Sequence, residues 1–131
     1  MVGYFRPIAR KFTDKNIKVE MFDMAIDDDC LLPMSQIDKS LQTADAVILT
    51  ATSVFNNTFM DIVTKTTKGS DTYILGPSSI MTDAMFDYPN IKAIFGTTFD
   101  KKDGEVLSII ENDGGTRTFI KHGYKRAFTP K

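Results

Sequence analysis

Hydroxyl and amide side chains are concentrated in one stretch of the chain, between Thr50 and Thr58. Such groups donate and accept hydrogen bonds, so they can orient a bound ligand. The same residue types are also the preferred N-caps of helices. For any single residue of the stretch we favour capping, whereas for a set of such loops brought together we favour ligand binding. The members of the stretch are Thr50, Thr52, Ser53, Asn56, Asn57 and Thr58.

A second candidate is the sequence Gly3-Tyr4-Phe5-Arg6-Pro7, which stands where a strand would turn into a helix. Its proline suits the first turn of a helix. The pattern G-x-G-x-x-G, with which dinucleotide enzymes hold a pyrophosphate, is missing here. The helix N-terminus still favours a small anion, and Arg6 would add a bidentate donor. An exposed arginine beside a packed aromatic pair is an equally supported interpretation.

Asp23 is a third candidate, because it ends the predicted second strand, twenty residues after Gly3. Dinucleotide-binding folds place an acid that binds the ribose at about this separation. An aspartate at the end of a strand is also a common turn former. Both interpretations of Asp23 stay open at the level of the sequence.

The chain offers few residues for nucleophilic or metal chemistry. His122 is the only histidine and Cys30 the only cysteine, and they lie far apart in the sequence. A nucleophile needs its base within hydrogen-bond reach, and a zinc site needs about four clustered ligands, usually Cys or His. The seven methionines are typical core filler. The residues therefore predict no catalytic set and no metal site built by the protein, and they leave open whether the chain is an enzyme.

Short apolar runs alternate with helical segments along the chain, which predicts an α/β fold. Continuous apolar runs such as residues 46–49 are typical of parallel strands buried on both faces. We predict a Rossmann-like, three-layer α/β/α architecture with a five-stranded parallel sheet, formed by residues 1–131 as a single domain. Predicted strands cover residues 2–5, 17–22, 46–49, 72–75 and 91–95; predicted helices include residues 7–15, 81–86 (ending at Pro89), 105–111 and 117–121.

In open parallel sheets, ligands bind outside the carboxyl ends of the strands. This rule selects the loops at residues 4–7, 23–29, 50–58, 76–79 and 96–98. In the fourth of these loops, Gly76 would permit close approach of the backbone. The predicted ligand-binding residues are Tyr4, Phe5, Arg6, Asp23, Thr52, Ser53, Asn57, Gly76, Pro77 and Ser78.

Composition narrows the range of partners. The 131 residues are 42% hydrophobic and 25% charged, which is ordinary for a globular protein. Sixteen basic and seventeen acidic residues provide no basic face for a nucleic acid, and no apolar run approaches the ~20 residues of a membrane span. A single cysteine excludes an internal disulfide and favours a reducing compartment. We therefore expect a cytoplasmic protein without nucleic-acid or membrane partners.

The segment Val2-Gly3-Tyr4-Phe5-Arg6-Pro7 resembles the start of the C-terminal domain of the "putative heavy-metal chelation" family. The resemblance covers nearly the whole chain. It implies a Rossmann-like fold joined to a smaller N-terminal domain similar to the enolase N-terminal fold, with a candidate site in the cleft between them. The other motifs that carry it are Asp23, Thr50-Ala51-Thr52-Ser53 with Asn57-Thr58, Gly76-Pro77-Ser78 and Gly114-Gly115-Thr116-Arg117.

The first predicted strand begins at residue 2, so we expect this chain to be the later part of a longer architecture. The expected protein partners are a separate N-terminal-type domain or a second copy of the chain. Our leading hypothesis is a domain that binds a small ligand, either a metal ion or a metal-chelating molecule. A ligand that itself holds the metal would reconcile chelation with the scarcity of protein ligands. The alternatives are a nucleotide-type binding domain and a non-enzymatic scaffold or regulatory module.

Overall fold

The fold is that of a computed structural model, which describes residues 1–88, 90–100 and 104–130. The predicted helix end at Pro89 lies outside these ranges. Within them, no helix is both long enough and apolar enough to cross a membrane.

A four-stranded sheet organises the described residues, and its strands follow the order of the chain. The strands are β1 (Ala46–Thr50), β2 (Asp71–Leu75), β3 (Ile91–Phe99) and β4 (Gly123–Phe128). β1, β2 and β3 are mutually parallel, whereas β4 is antiparallel to β3. The predicted mixed α/β class is confirmed. The predicted five-stranded parallel sheet is wrong, because the described sheet has four strands and one of them is antiparallel.

The first two predicted strands are reduced to single residues. Val2 forms isolated parallel bridges to Phe22 and to Leu49 of β1, so both segments lie beside the sheet without extending it as strands. Gly3 adopts a φ of +94°, which turns the chain immediately after Val2. A Cβ at this position would stand 2.6 Å from the Thr50 Cβ, so only glycine fits here without displacement. The apolar segment at residues 2–5 therefore does not form a strand.

The last part of the chain also departs from the prediction. The helical segment predicted at residues 117–121 is observed as α5 (Thr116–Phe119) followed by a short 3₁₀ turn, and the segment predicted as a polar tail forms β4. Four of the six β4 side chains are exposed, among them Lys125 and Arg126. Because an exposed edge strand has no buried face, hydrophobic periodicity does not reveal it.

Four further helices occur among the described residues: two precede β1, one lies between β1 and β2, and one lies between β3 and β4. They are α1 (Arg6–Thr13), α2 (Ile37–Thr43), α3 (Phe59–Lys65) and α4 (Gly104–Glu111). Pro7 lies in the first turn of α1, as its sequence position predicts. Additional 3₁₀ turns cover Met34–Gln36, Ala51–Ser53, Asp83–Asp87 and Ile120–His122.

The core lies between the sheet and the helices α2 and α3. Leu49 and Ile94 are fully buried, and Ile74 lies between them on β2. The helices contribute Leu41 from α2 and Ile62 from α3 to the same cluster. Burial of each such side chain contributes about 1.5–3 kcal/mol. This packing fixes the positions of α2 and α3 relative to the carboxyl end of β1.

Candidate functional site

A cavity of about 460 Å³ opens where the chain leaves Val2, Phe22 and β1. It therefore lies at the carboxyl edge of the parallel segments, and α2 and α3 form its other wall. Most of its surface is apolar, with a few polar groups at the end of β1. Its apolar lining includes Phe5, Met24, Ile26, Met34, Ile37 and Leu41; its hydroxyl and amide groups belong to Thr50, Thr52, Asn56 and Thr58.

Asp23 holds two of the cavity loops together. Its Oδ2 accepts the backbone N–H of Tyr4 at 2.8 Å, and its Oδ1 accepts the backbone N–H of Ala25 at 2.9 Å. The N–H of Gly3 also donates to the carbonyl of Phe22 at 2.8 Å. Hydrogen bonds to an ionised carboxylate are roughly twice as strong as neutral ones. Each oxygen of Asp23 is thus already engaged by the backbone of this chain.

The polar end of the cavity is organised by side-chain pairs after β1. The hydroxyl oxygens of Thr50 and Thr52 lie 3.0 Å apart. Asn56 Oδ1 accepts the Thr58 hydroxyl at 2.7 Å and the Thr58 backbone N–H at 3.3 Å. These contacts orient the side chains before any ligand arrives, and they leave the Asn56 amide N–H groups available as donors.

The helical wall carries charge. Lys65 Nζ on α3 lies 2.9 Å from Asp38 Oδ1 on α2, so the pair joins the two helices beside the cavity. The hydrogen bond to Asp38, and with it the nearby charge of Asp61, raises the pKa of Lys65. Lys65 is therefore protonated and already paired at neutral pH.

An exposed network stands beside the cavity. Arg6 Nη2 lies 3.0 Å from Asp28 Oδ2 and its guanidinium stacks 5.4 Å from the centre of the Tyr4 ring. Cys30 donates its thiol to the Tyr4 hydroxyl at 3.1 Å and its backbone N–H to Asp28 Oδ1 at 3.2 Å. The hydrogen bond with Cys30 is the main cause that raises the pKa of Tyr4, and bonds from Cys30 and Arg6 lower the pKa of Asp28. Arg6, which the sequence predicted as a donor to an anion, is thus paired with the Asp28 carboxylate of the same chain.

Of the ten residues predicted to bind ligand, the structure brings four to the cavity. They are Tyr4, Phe5, Asp23 and Thr52. Arg6 instead faces Asp28, as described above. Ser53 is fully buried under the turn after β1, and its Oγ has no hydrogen-bond partner among the described residues. Asn57 is an exposed turn residue with a φ of 61°, and it is the neighbouring Asn56 that reaches the cavity.

The loop with Gly76, Pro77 and Ser78 lies apart from the cavity lining. Gly76 donates its N–H to the carbonyl of Phe95 at 3.0 Å, and a Cβ on it would stand 3.0 Å from the Ala51 Cβ. The close backbone approach predicted at Gly76 is therefore one between β2 and the turn after β1. The predicted loop at residues 96–98 continues β3 and likewise lies outside the cavity lining.

Sequence reasoning missed the side chains that complete the cavity. Met24 and Ile26 lie in an irregular segment and Met34 begins a short 3₁₀ turn, so no periodic pattern assigns them to a wall. Asp38 and Lys65 are separated by 27 residues and meet only because α2 packs against α3. The acidic character of Asp38 and Asp61 was visible in the sequence, but their common orientation was not.

The side chains that the structure describes do not form a set that could hold a metal ion. Across residues 1–88, 90–100 and 104–130, no three His, Cys, Asp or Glu side chains cluster so as to hold a metal. Cys30 lies in the exposed network, and His122 Nε2 stands 3.6 Å from Glu105 Oε2. Neither residue lines the cavity.

The fold and the cavity define a class: a mixed α/β domain whose candidate site lies at the carboxyl edge of its parallel strands. The chain belongs to the family described as "Putative heavy-metal chelation" (DUF364), whose model matches residues 1–129. The resemblance inferred from the sequence motifs is thereby confirmed. No curated protein matches this chain.

Two solved structures of the same family share the fold. A protein with unknown function from Pyrococcus horikoshii superimposes with a TM-score of 0.86 at 18% identity, covering 98% of this chain and 52% of the other. One from Desulfitobacterium hafniense DCB-2 gives 0.81 at 16% identity, covering 98% and 50%. The chain thus spans about half the length of each of these neighbours.

Proposed function

We propose that this chain binds a small metal-chelating molecule, free or with its metal, in the cavity beside Asp23. The observation that carries the proposal is the cavity itself, about 460 Å³ of mainly apolar surface with a few oriented polar groups at one end. Ligand sites of proteins typically measure about 300–1,000 Å³ and have this composition. The position at the carboxyl edge of parallel strands is the usual one for ligands in such sheets.

A chelator, rather than a bare ion, is the ligand that the residues support. The described residues provide no cluster of metal-binding side chains. A metal that enters with its own nitrogen, oxygen or sulfur donors needs only shape, apolar contact and a few hydrogen bonds from the protein. This interpretation agrees with the family description without asking Cys30 or His122 to act together.

Exposed methionines suit the walls of such a site. Met24 is 62% exposed, Ile26 44% and Met34 36%, and all three line the cavity. Exposed apolar side chains that surround one concave surface are typical of binding sites. Methionine adapts its shape and contacts aromatic rings favourably through sulfur. A planar heterocyclic chelator would cover these side chains and place its polar edge toward Thr52 and Asn56.

Methionine methyl NMR tests the proposal directly. We expect bipyridine and its zinc complex, added to methyl-labelled protein, to shift the Met24 and Met34 signals in a saturable manner. Met60 and Met85 do not line the cavity, so their signals should move little. Zinc ions alone should leave all four signals unchanged, because the residues that the structure describes contain no donor cluster for them.

A blocking variant separates the cavity from the rest of the surface. Ala25→Trp would fill the cavity that Ala25 lines, and it should abolish the shifts of Met24 and Met34. Ala84→Trp, at an exposed position outside the lining, serves as the matched control and should bind normally. Absence of saturable shifts with both probes would contradict the proposal and favour the scaffold alternative.

A further inference from the structure

The charged residues of the cavity are unevenly divided. Three carboxylates (Asp23, Asp38 and Asp61) and a single ammonium (Lys65) line it, which leaves a formal excess of negative charge. Arg6, the nearest further cation described above, lies outside the lining and is paired with Asp28 at 3.0 Å. The excess therefore belongs to the cavity and not to a balanced surface network.

The individual pairings show where this excess is available to a ligand. Asp23 is held by two backbone N–H groups, which satisfy its oxygens without cancelling its charge. Asp38 shares its Oδ1 with Lys65 at 2.9 Å. Asp61 lies four residues before Lys65 on α3, and its charge contributes to the raised pKa of that lysine. One ammonium thus offsets part of the charge of two helical carboxylates, and the rest of the negative charge remains in the cavity lining.

Apolar walls strengthen the effect of this charge. A cleft with walls of low dielectric constant focuses the field of the charges that line it. Phe5, Met34 and Ile37 supply such walls in the cavity that Asp38 also lines, and Thr52 and Asn56 supply neutral polar groups. The cavity therefore combines apolar contact with a negative potential, a combination that favours a lipophilic cation.

We propose that the cavity selects positively charged metal complexes with an apolar periphery over neutral or anionic chelators. This inference rests on the proposed function and adds the charge of the ligand to it. The complex binds intact: the chelator keeps its donor atoms on the metal, and the carboxylates act by charge from outside the coordination sphere. A chelator would then be held more tightly when it carries a cationic metal than when it is empty or anionic.

Two substitution-inert probes test the selection by charge. Both are planar platinum(II) complexes of bipyridine, completed by ethylenediamine in the dication and by two cyanide ligands, which thioethers do not displace, in the neutral complex. They present the same aromatic face, so their affinities differ mainly through charge. We expect the dication to bind about five- to twentyfold more tightly by methyl NMR or calorimetric titration, since each partly exposed charge contributes a factor of about two to five. Raised ionic strength should narrow the difference.

Charge variants identify the residues responsible. Asp61→Asn should weaken binding of the dication about two- to fivefold and leave binding of the neutral complex unchanged. Asp61→Lys should bring the two affinities together. Asp87→Asn, at an exposed position outside the cavity, is the matched control and should change neither.

The outcomes separate the two proposals. Equal affinity for both complexes, or tighter binding of the neutral one, would overturn the selection by charge while the proposed function stands. An equal loss of both affinities in Asp61→Asn would assign that residue to shape and would also overturn the inference. If neither complex shifts the signals of Met24 and Met34, the binding function fails together with the inference.

Discussion

The two lateral ends of the sheet differ in how continuous their backbone hydrogen bonding is. At one end, β3 and β4 form a continuous antiparallel ladder from Ile94–Phe128 to Phe99–Gly123. At the other end, Val2 bridges single residues of its neighbours, Phe22 and Leu49, and the Asp23 carboxylate links the loops that follow. The cavity lies at this second end. The comparison indicates that, at the end with the cavity, a few backbone hydrogen bonds around Val2 and one carboxylate take the place of a continuous ladder.

The largest expected effect comes from an aromatic side chain at the cavity end. Phe22 is 2% exposed and Phe128, at the opposite end, is only partly buried. We expect Phe22→Ala to lower the free energy of unfolding by about 3–5 kcal/mol. Phe128→Ala should cost about 1–2 kcal/mol, because less of its surface leaves water. Urea denaturation followed by circular dichroism measures both. A cost for Phe128→Ala equal to that for Phe22→Ala would remove the distinction between the two ends.

Gly3→Ala addresses the turn after the Val2 bridge. The φ of +94° and the 2.6 Å approach of a new Cβ to Thr50 both oppose any side chain. We expect the free energy of unfolding to fall by about 2–4 kcal/mol, from backbone strain together with overpacking. Gly69→Ala is the control, since a Cβ there meets nothing within 4 Å. Similar stabilities of the two variants would show that the turn adapts easily.

Asp23→Asn weakens the link between the two cavity loops. One charge-assisted acceptor is lost and the other becomes neutral, so we expect a cost of about 1.5–3 kcal/mol. Amide hydrogen exchange at Tyr4 and Ala25 should accelerate more than exchange in the β3–β4 ladder. Asp27→Asn, an exposed neighbour, is the control. Unchanged exchange at Tyr4 would show that the carboxylate is not what holds its loop.

The smallest effect concerns the exposed network and its pH dependence. The hydrogen bonds from Cys30 and the contact with Arg6 lower the pKa of Asp28. A lowered pKa means that the contribution of the ionised carboxylate is present above the ordinary aspartate pKa of about 3.9 and is lost as the pH falls through the folded value. Asp28→Asn should therefore slightly flatten the acid side of the profile of Tm against pH, and Asp29→Asn, at an exposed position, is the matched control. If the acid side of the profile were the same in Asp28→Asn as in the wild type, Asp28 would not contribute to the pH dependence of stability.

The central part of the fold was predictable because its residues are buried on a regular period. The apolar run at residues 46–49 corresponds to β1, and the run at residues 91–95 begins β3. The outer parts of the fold were not predictable from the sequence, and the reasons at the two ends are opposite. Residues 2–5 are apolar but turn at Gly3, and β4 is a strand with mostly exposed side chains. The hydrophobic pattern indicates which residues are buried and not which conformation the backbone adopts. It therefore fails for apolar segments that are not strands and for strands with exposed side chains.

The candidate site was predictable at the level of loops rather than of side chains. The rule of strand ends placed Tyr4, Asp23 and Thr52 near one another, and the cavity joins them. It could not separate Asn56 from Asn57, because the direction of each depends on the left-handed turn at Asn57. It also could not anticipate Lys65, whose position depends on the packing of α2 against α3.

The charged edge strand bears on how this protein behaves at high concentration. Within the described residues, β4 pairs only with β3, so its other edge can accept hydrogen bonds from a further chain. Two copies joined antiparallel about the middle of this strand would bring Lys125 of each against Arg126 of the other. Like charges directly opposed on adjacent strands disfavour pairing, and lysine on an edge strand is a common protection against sheet extension. The charges of β4 thus disfavour edge-to-edge pairing of two copies through this strand.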